Sequence, residues 1–308
     1  MKKLSILFAC AVLFTACAGN KNVLNKNMSK YPAEKYITKL AAAPAKDAAR
    51  DAALADLRKL FDGLPLTQSS EIRREAILAR AFVAQTWRDK ATNRFYAIAA
   101  LERAGAQATM HPFYATIDGR LAALSGRINA DNDKFTNLRN AMLMQPLLEQ
   151  REQLDREYRL LSFNAGAFEE DNLIAFRNVY NRAFADIRIN AVLTGTGDTA
   201  VKTSLIDALN SLGFSVGEKL PDADIELAIE TKVTHTTSKT TEGLFWADST
   251  AVVALKDLST GGIFATFTKF GRDGSGRAEE AQRRSMIAVG ADSAPVIKQR
   301  ILEYIQRR

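Results

Sequence analysis

The chain has 308 residues, of which 47% are hydrophobic and 25% charged, an ordinary balance for globular protein with room for two modest domains. Its formal charge of +7 is spread thinly, because Arg73-Arg74, Arg283-Arg284 and Arg307-Arg308 each sit among acidic or apolar residues. No dense basic stripe forms, which argues against a nucleic-acid partner and leaves weak attraction to an anionic envelope surface as the remaining use of the charge.

The amino terminus runs Met1-Lys2-Lys3, an apolar stretch from Leu4 to Phe14, and then Thr15-Ala16-Cys17, the order of a secretory signal. The apolar stretch is shorter than the roughly 20 residues a spanning helix needs. Its small residues run directly into a cysteine, so Phe14-Thr15-Ala16-Cys17 resembles a bacterial lipobox, with Phe14 standing where leucine is usual. That resemblance implies cleavage between Ala16 and Cys17, a diacylglyceryl thioether on the Cys17 sulfur and a palmitate-type acyl group on the new amino terminus. Several acyl chains would anchor stably, since each buried CH₂ contributes about 0.8 kcal/mol and one chain alone is marginal. Ala18 in place of an aspartate implies, by the same resemblance, an outer-membrane anchor facing the periplasm, with the cell surface as the alternative. Cys10 leaves with the signal, so no cysteine remains for a disulfide. Residues 17–30, polar and Asn-rich, read as a solvated tether, and folding is expected to begin near Tyr31.

Residues 36–43 read as a short strand entering a helix over 45–62, whose Ala53, Leu57, Leu60 and Leu64 share one face before Gly63 and Pro65 stop it. A helical piece over 69–76 leads to a hairpin with strands at 77–87 and 94–101. Beyond Ala106 the steps alternate between four and three through Ile117, Leu121, Leu124, Ile128, Asp131, Phe135, Leu138 and Met142, a seam broken only by Asp131. Pro146 is expected to end or kink that helix, and Leu147, Leu154, Tyr158 and Leu161 continue on a second one. The spacing fits a hairpin that projects toward a partner as well as one packed on its own domain.

The remainder predicts a helix over 169–184, a strand over 186–194, a helix ending at Gly213, and strands at 223–235, 244–255 and 262–270. A closing helix over 277–307 is expected to be interrupted around Gly290–Pro295. The whole predicts an α+β fold: signal 1–16, tether 17–30, α+β domain 31–105, helical hairpin 106–165, and α+β domain 166–308 with an antiparallel-rich sheet and helices on one face.

The two histidines, His111 and His235, fall in different regions without further ligands at metal spacing, so neither metal nor cofactor is expected. His111, before Pro112, reads as a helix-start residue. Gly195-Thr196-Gly197 has the strand-to-helix setting of a phosphate loop but lacks the third glycine or the lysine, and a structural turn explains it better. Gly271-Arg272-Asp273-Gly274-Ser275-Gly276 reads as a flexible loop, with anion capture the sharper alternative. Trp87 and Trp246 close apolar strands beside Asp89 and Asp248; sheet packing is the default reading, and a protein-binding hot spot the functional one. The acids at 169–171 and 279–280 suit helix starts and need no catalytic explanation.

At Tyr31-Pro32, the Ala-rich helix, Thr86-Trp87-Arg88-Asp89 and the run from Phe95 to Arg103, the chain resembles the twenty-kilodalton bacterial lipoprotein-antigen family, small lipid-anchored envelope modules without known catalytic residues. Ala41-Ala42-Ala43-Pro44 stands where that family has a Gly-x-Gly turn. The Asp257-Leu258-Ser259-Thr260-Gly261 turn is similar to one in the modules of curli-secretion and penicillin-binding-protein-activator lipoproteins. The reading that follows is a membrane-held, non-enzymatic scaffold or regulator with an envelope protein as partner. A cell-wall enzyme using Asp or Glu, or a subunit of an export pore, stands as the alternative.

Overall fold

A computed structural model describes residues 26–163, 168–195, 198–235 and 243–308. The signal and Cys17 lie outside them. The fold is α+β, with two sheets and long helices, and no helix among the described residues is long and apolar enough to cross a membrane. The chain divides into two compact units: one takes residues up to Thr116 together with Glu152–Phe168, the other Ile117–Arg151 together with Glu169–Arg308.

The first unit begins before Tyr31, for Lys26–Met28 form a helical turn in which Asn27 is buried. Strand β1 (Tyr36–Ala43) leads to helix α1 (Lys46–Arg58), which a 3-10 turn continues through Phe61. Helix α2 (Gln68–Leu78) follows, then strands β2 (Phe82–Asp89) and β3 (Arg94–Glu102). The strands pair antiparallel in the order β1-β3-β2. Alanines dominate β3 because both of its faces are covered from Ala97 to Leu101, and Ala49, Ala53 and Leu57 of α1 are buried with them.

The hairpin strand starts at Phe82, five residues later than its apolar run begins. Ile77 belongs to α2, where it is fully buried, because Thr67 and Ser70 exchange side-chain to backbone bonds in a capping box and start the helix early enough to include it. Arg73 donates to both carboxylate oxygens of Glu157, at 3.0 and 3.3 Å, and Arg74 adds a third bond at 3.2 Å. All three side chains are buried, so the pair of guanidiniums holds α2 to the part of the chain around residue 157.

Helix α3 (Arg103–Ser125) and helix α4 (Lys134–Leu161) form the predicted helical pair, and each gives residues to both units. Their turn falls at 126–133 and not at Pro146. Asn132 donates to the Arg127 carbonyl and Asn137 to that of Asn129, each at 2.7 Å, while Asp133 accepts from the Thr136 amide at 3.0 Å as a helix cap. Side-chain amides thus replace helical bonds at the one place where the seam lost its apolar residue, Asp131. Pro146 sits exposed inside α4, where solvent can satisfy the carbonyl its ring leaves without a donor. Helix α3 also begins eight residues before His111, which lies in its interior and stacks on Phe168 at 4.8 Å.

In the second unit helix α5 (Glu170–Ala185) precedes strand β4 (Arg188–Gly195), helix α6 (Asp198–Ser211), and strands β5 (Ser215–Gly217), β6 (Ile225–His235), β7 (Phe245–Asp257) and β8 (Ile263–Ser275). Helix α7 (Ala278–Arg307) closes the chain. The sheet order is β5-β4-β6-β7-β8, with β4 parallel to both neighbours and the rest antiparallel. The short β5 was invisible in a three-residue run, and with it the crossover through α6 that makes the β4 pairings parallel.

Ile189, Leu227, Val253 and Leu255 from the sheet meet Leu205, Leu209, Val289, Ile297 and Ile301 from α6 and α7 in one core. Each such side chain contributes about 1.5–3 kcal/mol by leaving water. Helix α7 is continuous through the expected interruption. At Gly290 a Cβ would lie 2.8 Å from the Val201 carbonyl oxygen, so the missing side chain is what lets α6 and α7 approach. Pro295 faces outward and is tolerated as Pro146 is.

Candidate protein-binding face

Because side chains alternate along a strand, every second residue of β7 lies under α7 and the others face away from it. Ala247, Ser249, Ala251, Val253, Leu255 and Asp257 are all buried. Their neighbours form the opposite rows, paired across to β8 as Trp246 with Gly274, Asp248 with Arg272, Thr250 with Phe270, Val252 with Thr268 and Ala254 with Thr266. The rows continue through Ala228 and Glu230 of β6 to Val192 and Thr194 of β4. Phe270 is 74% exposed, Val252 47% and Val192 41%, so apolar side chains stand in solvent on a face that the unit's own core does not use.

One corner of this face is organised around Trp246. Gly274 lies against its ring, where a Cβ would come within 3.2 Å of two ring carbons. The Arg272 guanidinium sits over the same ring at 5.0 Å from the centroid, and its Nε is 3.7 Å from Asp248 Oδ1. Arg272 and Asp248 are both 63% exposed at the side chain, so the ion pair contributes little to stability and its charges are available at the rim. Phe270 and Val252 thus stand among threonines and charged side chains, with Glu230 opposite Val252 and Lys232 opposite Thr250, a mixed surface of the kind that protein-protein contacts use.

Residues 271–275 of the glycine-rich segment therefore are not a loop but the end of β8, with Gly276 just beyond it. Gly271 and Gly274 are there for contact: a Cβ at Gly271 would lie 2.5 Å from Val289 Cγ2 and 2.9 Å from the Ser285 carbonyl oxygen of α7. Gly195, at φ +104°, has its α-carbon so close to Thr231 that a Cβ would collide with that carbonyl. Close strand packing accounts for Gly195, and residues 196 and 197 of the suspected phosphate turn lie outside the described residues.

Trp87 belongs to the first unit, where it stacks on Tyr96 at 5.5 Å with the rings 12° apart. Its neighbour Asp89 is committed locally, accepting from Thr92 Oγ1 at 2.6 Å and the Ala91 amide at 3.0 Å, and these donors hold its carboxyl below the usual carboxylate range. His235 ends β6 opposite Ala247. Among the described residues no group of three His, Cys, Asp or Glu side chains is placed to hold a metal ion. Cys17 and Ala16 lie outside the described residues.

A second polar centre escaped the sequence reading, which took Asp257–Gly262 as a plain turn. Asp257 is fully buried at the end of β7. Its Oδ1 accepts from the Ser259 amide and hydroxyl, both at 2.7 Å, and its Oδ2 from the Tyr304 hydroxyl at 2.6 Å, with Arg308 Nη1 3.3 Å away. Burial pushes the carboxyl up, but the bonds from Tyr304, Ser259 and the Thr260 amide outweigh it and hold Asp257 below its usual range. Burial and the bond to Asp257 together raise Tyr304. The Asp-x-Ser spacing was the available signal, since an aspartate two residues before a serine amide makes this turn.

No protein-family model matches the chain, and no curated protein matches it. Among solved structures, a secreted protein of Helicobacter pylori is 14% identical, with 84% of this chain and 97% of that one covered at a TM-score of 0.34. A minor lipoprotein of Acinetobacter baumannii is 15% identical over 38% of this chain and 94% of its own, at 0.30. The rare lipoprotein B of Shewanella oneidensis is 14% identical over 39% and 94%, at 0.23.

Proposed function

We propose that the chain is a lipid-anchored adaptor of the bacterial cell envelope, non-enzymatic, which holds a protein partner on the open face of its five-stranded sheet. The observation that carries this reading is the set of exposed apolar residues Phe270, Val252 and Val192, in three successive cross-strand rows of the face turned away from α6 and α7, with Trp246 at its corner. Leader and Cys17 supply the address and the anchor in this reading, and the outer membrane facing the periplasm is the proposed location. The buried carboxylates support a structural use, since Asp257 and Glu157 are each saturated by several donors.

The reading moves the contact from the helical pair, where the heptad seam first suggested it, to the sheet. Photo-reactive residues placed at Val252 and Phe270 in the full chain, in cells, are expected to cross-link one protein species, and Phe270→Glu is expected to abolish that product at unchanged protein level. Cross-linking no stronger there than from the exposed Ala291 position of α7 would sink it.

A further inference from the structure

Among the described residues strand β8 is an open edge of its sheet. It runs thirteen residues, from Ile263 to Ser275, contains no proline, and has β7 as its one described neighbour in the sheet order. At about 3.3 Å per residue it offers some 40 Å of backbone with one side outside the ladder. Natural sheet edges are normally kept short, bulged or covered; here the pairing with β7 is irregular at Phe264 alone and regular from Ala265 to Ser275.

The start of this edge is built into a cleft. Phe264, Ala265 and Thr266 form one wall and Arg300, Glu303, Tyr304 and Arg307 of α7 the other, around about 340 Å³. The floor is aromatic: Phe264 and Tyr304 stack at 4.1 Å with the rings 14° apart. Buried Asp257 fixes that floor by accepting the Tyr304 hydroxyl. The rim is basic, for Arg300 is bonded to Glu303 at 2.8 Å while Arg307 adds a second guanidinium at the exposed end of the helix. Lys269 adds one more cation farther along β8.

We infer that the groove between β8 and the end of α7 receives an extended acidic segment of a partner protein, which adds to the sheet as a further strand. The free edge supplies backbone hydrogen bonds, the aromatic floor takes an apolar side chain, and Arg300 and Arg307 receive carboxylates. Charge selects the occupant: a basic strand would meet two guanidiniums against one carboxylate. This inference does not rest on the anchor or on the open sheet face, because the groove lies at the edge of the sheet.

The test uses the full chain purified in detergent and a fluorescent octapeptide of alternating valine and glutamate, with a valine and lysine octapeptide and a proline-interrupted glutamate version as comparisons. The glutamate peptide is expected to bind, to lose about tenfold in affinity when salt rises from 50 to 300 mM, and to lose about tenfold in the Arg300→Ala, Arg307→Ala variant, whose changes are at exposed positions. Hydrogen exchange of alternate β8 amides is expected to slow when it binds, and the proline peptide is expected to fail. Equal binding of the lysine peptide, absence of binding, or binding without protection of β8 overturns the proposal. So does protection of β8 that rises with protein concentration in the absence of peptide, which would assign the edge to a second copy of this chain.

Discussion

Asp257 shows how one buried charge can organise the end of a chain. With no solvent exposure, its carboxylate depends on Ser259, Thr260, Tyr304 and Arg308 for compensation. Asp257→Asn keeps the shape but removes the charge that Tyr304 and Arg308 face, and is expected to cost about 2 kcal/mol at neutral pH. The sign with pH follows from the depressed carboxyl. Its contribution is complete above the unfolded value near 4 and is lost as pH falls through the lower folded value. Asp89, Asp133, Glu303 and Glu280, the last held at about 2 by Arg283 and Arg284, add to the acid sensitivity of both proteins. The expected result is therefore a gap in denaturant midpoint between wild type and variant that narrows from pH 6 to pH 3. A gap constant across that range would show that the charge is not what stabilises the turn.

At the level of elements, packing decides what local pattern leaves open. Gly271→Ala would drive a methyl into Val289 and the Ser285 carbonyl, and a cost of about 1–3 kcal/mol is expected. Gly276, five residues on, has nothing within 4 Å of a built Cβ, and Gly276→Ala is expected to leave the melting temperature within a degree or two. Equal effects at the two positions would contradict the packing argument. The same pair explains what could be read in the chain and what could not. Strands and helices with steady alternation, β1, β6, β7 and α1, were legible because their period reflects one buried face. The glycines of β8 were misread as a loop because the reason for them is a helix that arrives at the strand only in three dimensions. Likewise the Asp131 break was visible, but that a turn would form there depended on Asn129, Asn132 and Asn137 finding carbonyls. Trp246 was legible as a candidate from its size alone, whereas Phe270 and Val252 became candidates only when the sheet showed which side α7 covers.

For the whole molecule the sequence speaks most directly at the end the structure does not describe. Replacing Cys17 by serine removes the only thiol left after the proposed cleavage of the leader, and with it the proposed acyl chains. Wild-type protein is expected to stay in the membrane pellet after a high-salt wash and to take up an alkyne-tagged fatty acid, while Cys17→Ser appears in the soluble fraction without label. A variant that remains in the washed pellet would mean that another surface holds the membrane. The folded part leaves different work to different places: the sheet's open face and its long free edge present apolar and backbone groups, while the thinly spread positive charge is concentrated locally at the end of α7.

Both compact units are discontinuous in the chain, since residues 117–151 and 152–168 are exchanged between them. A protein that threads through a membrane from its amino terminus presents its segments in sequence order. The first unit lacks its last piece until residue 168 has emerged, and the strip 117–151 must then wait for a sheet whose final strands and closing helix are the last to arrive. On the proposed export route the first unit can therefore close at about mid-chain, whereas the strip 117–151 has to be kept from collapsing on other partners until the last residues arrive.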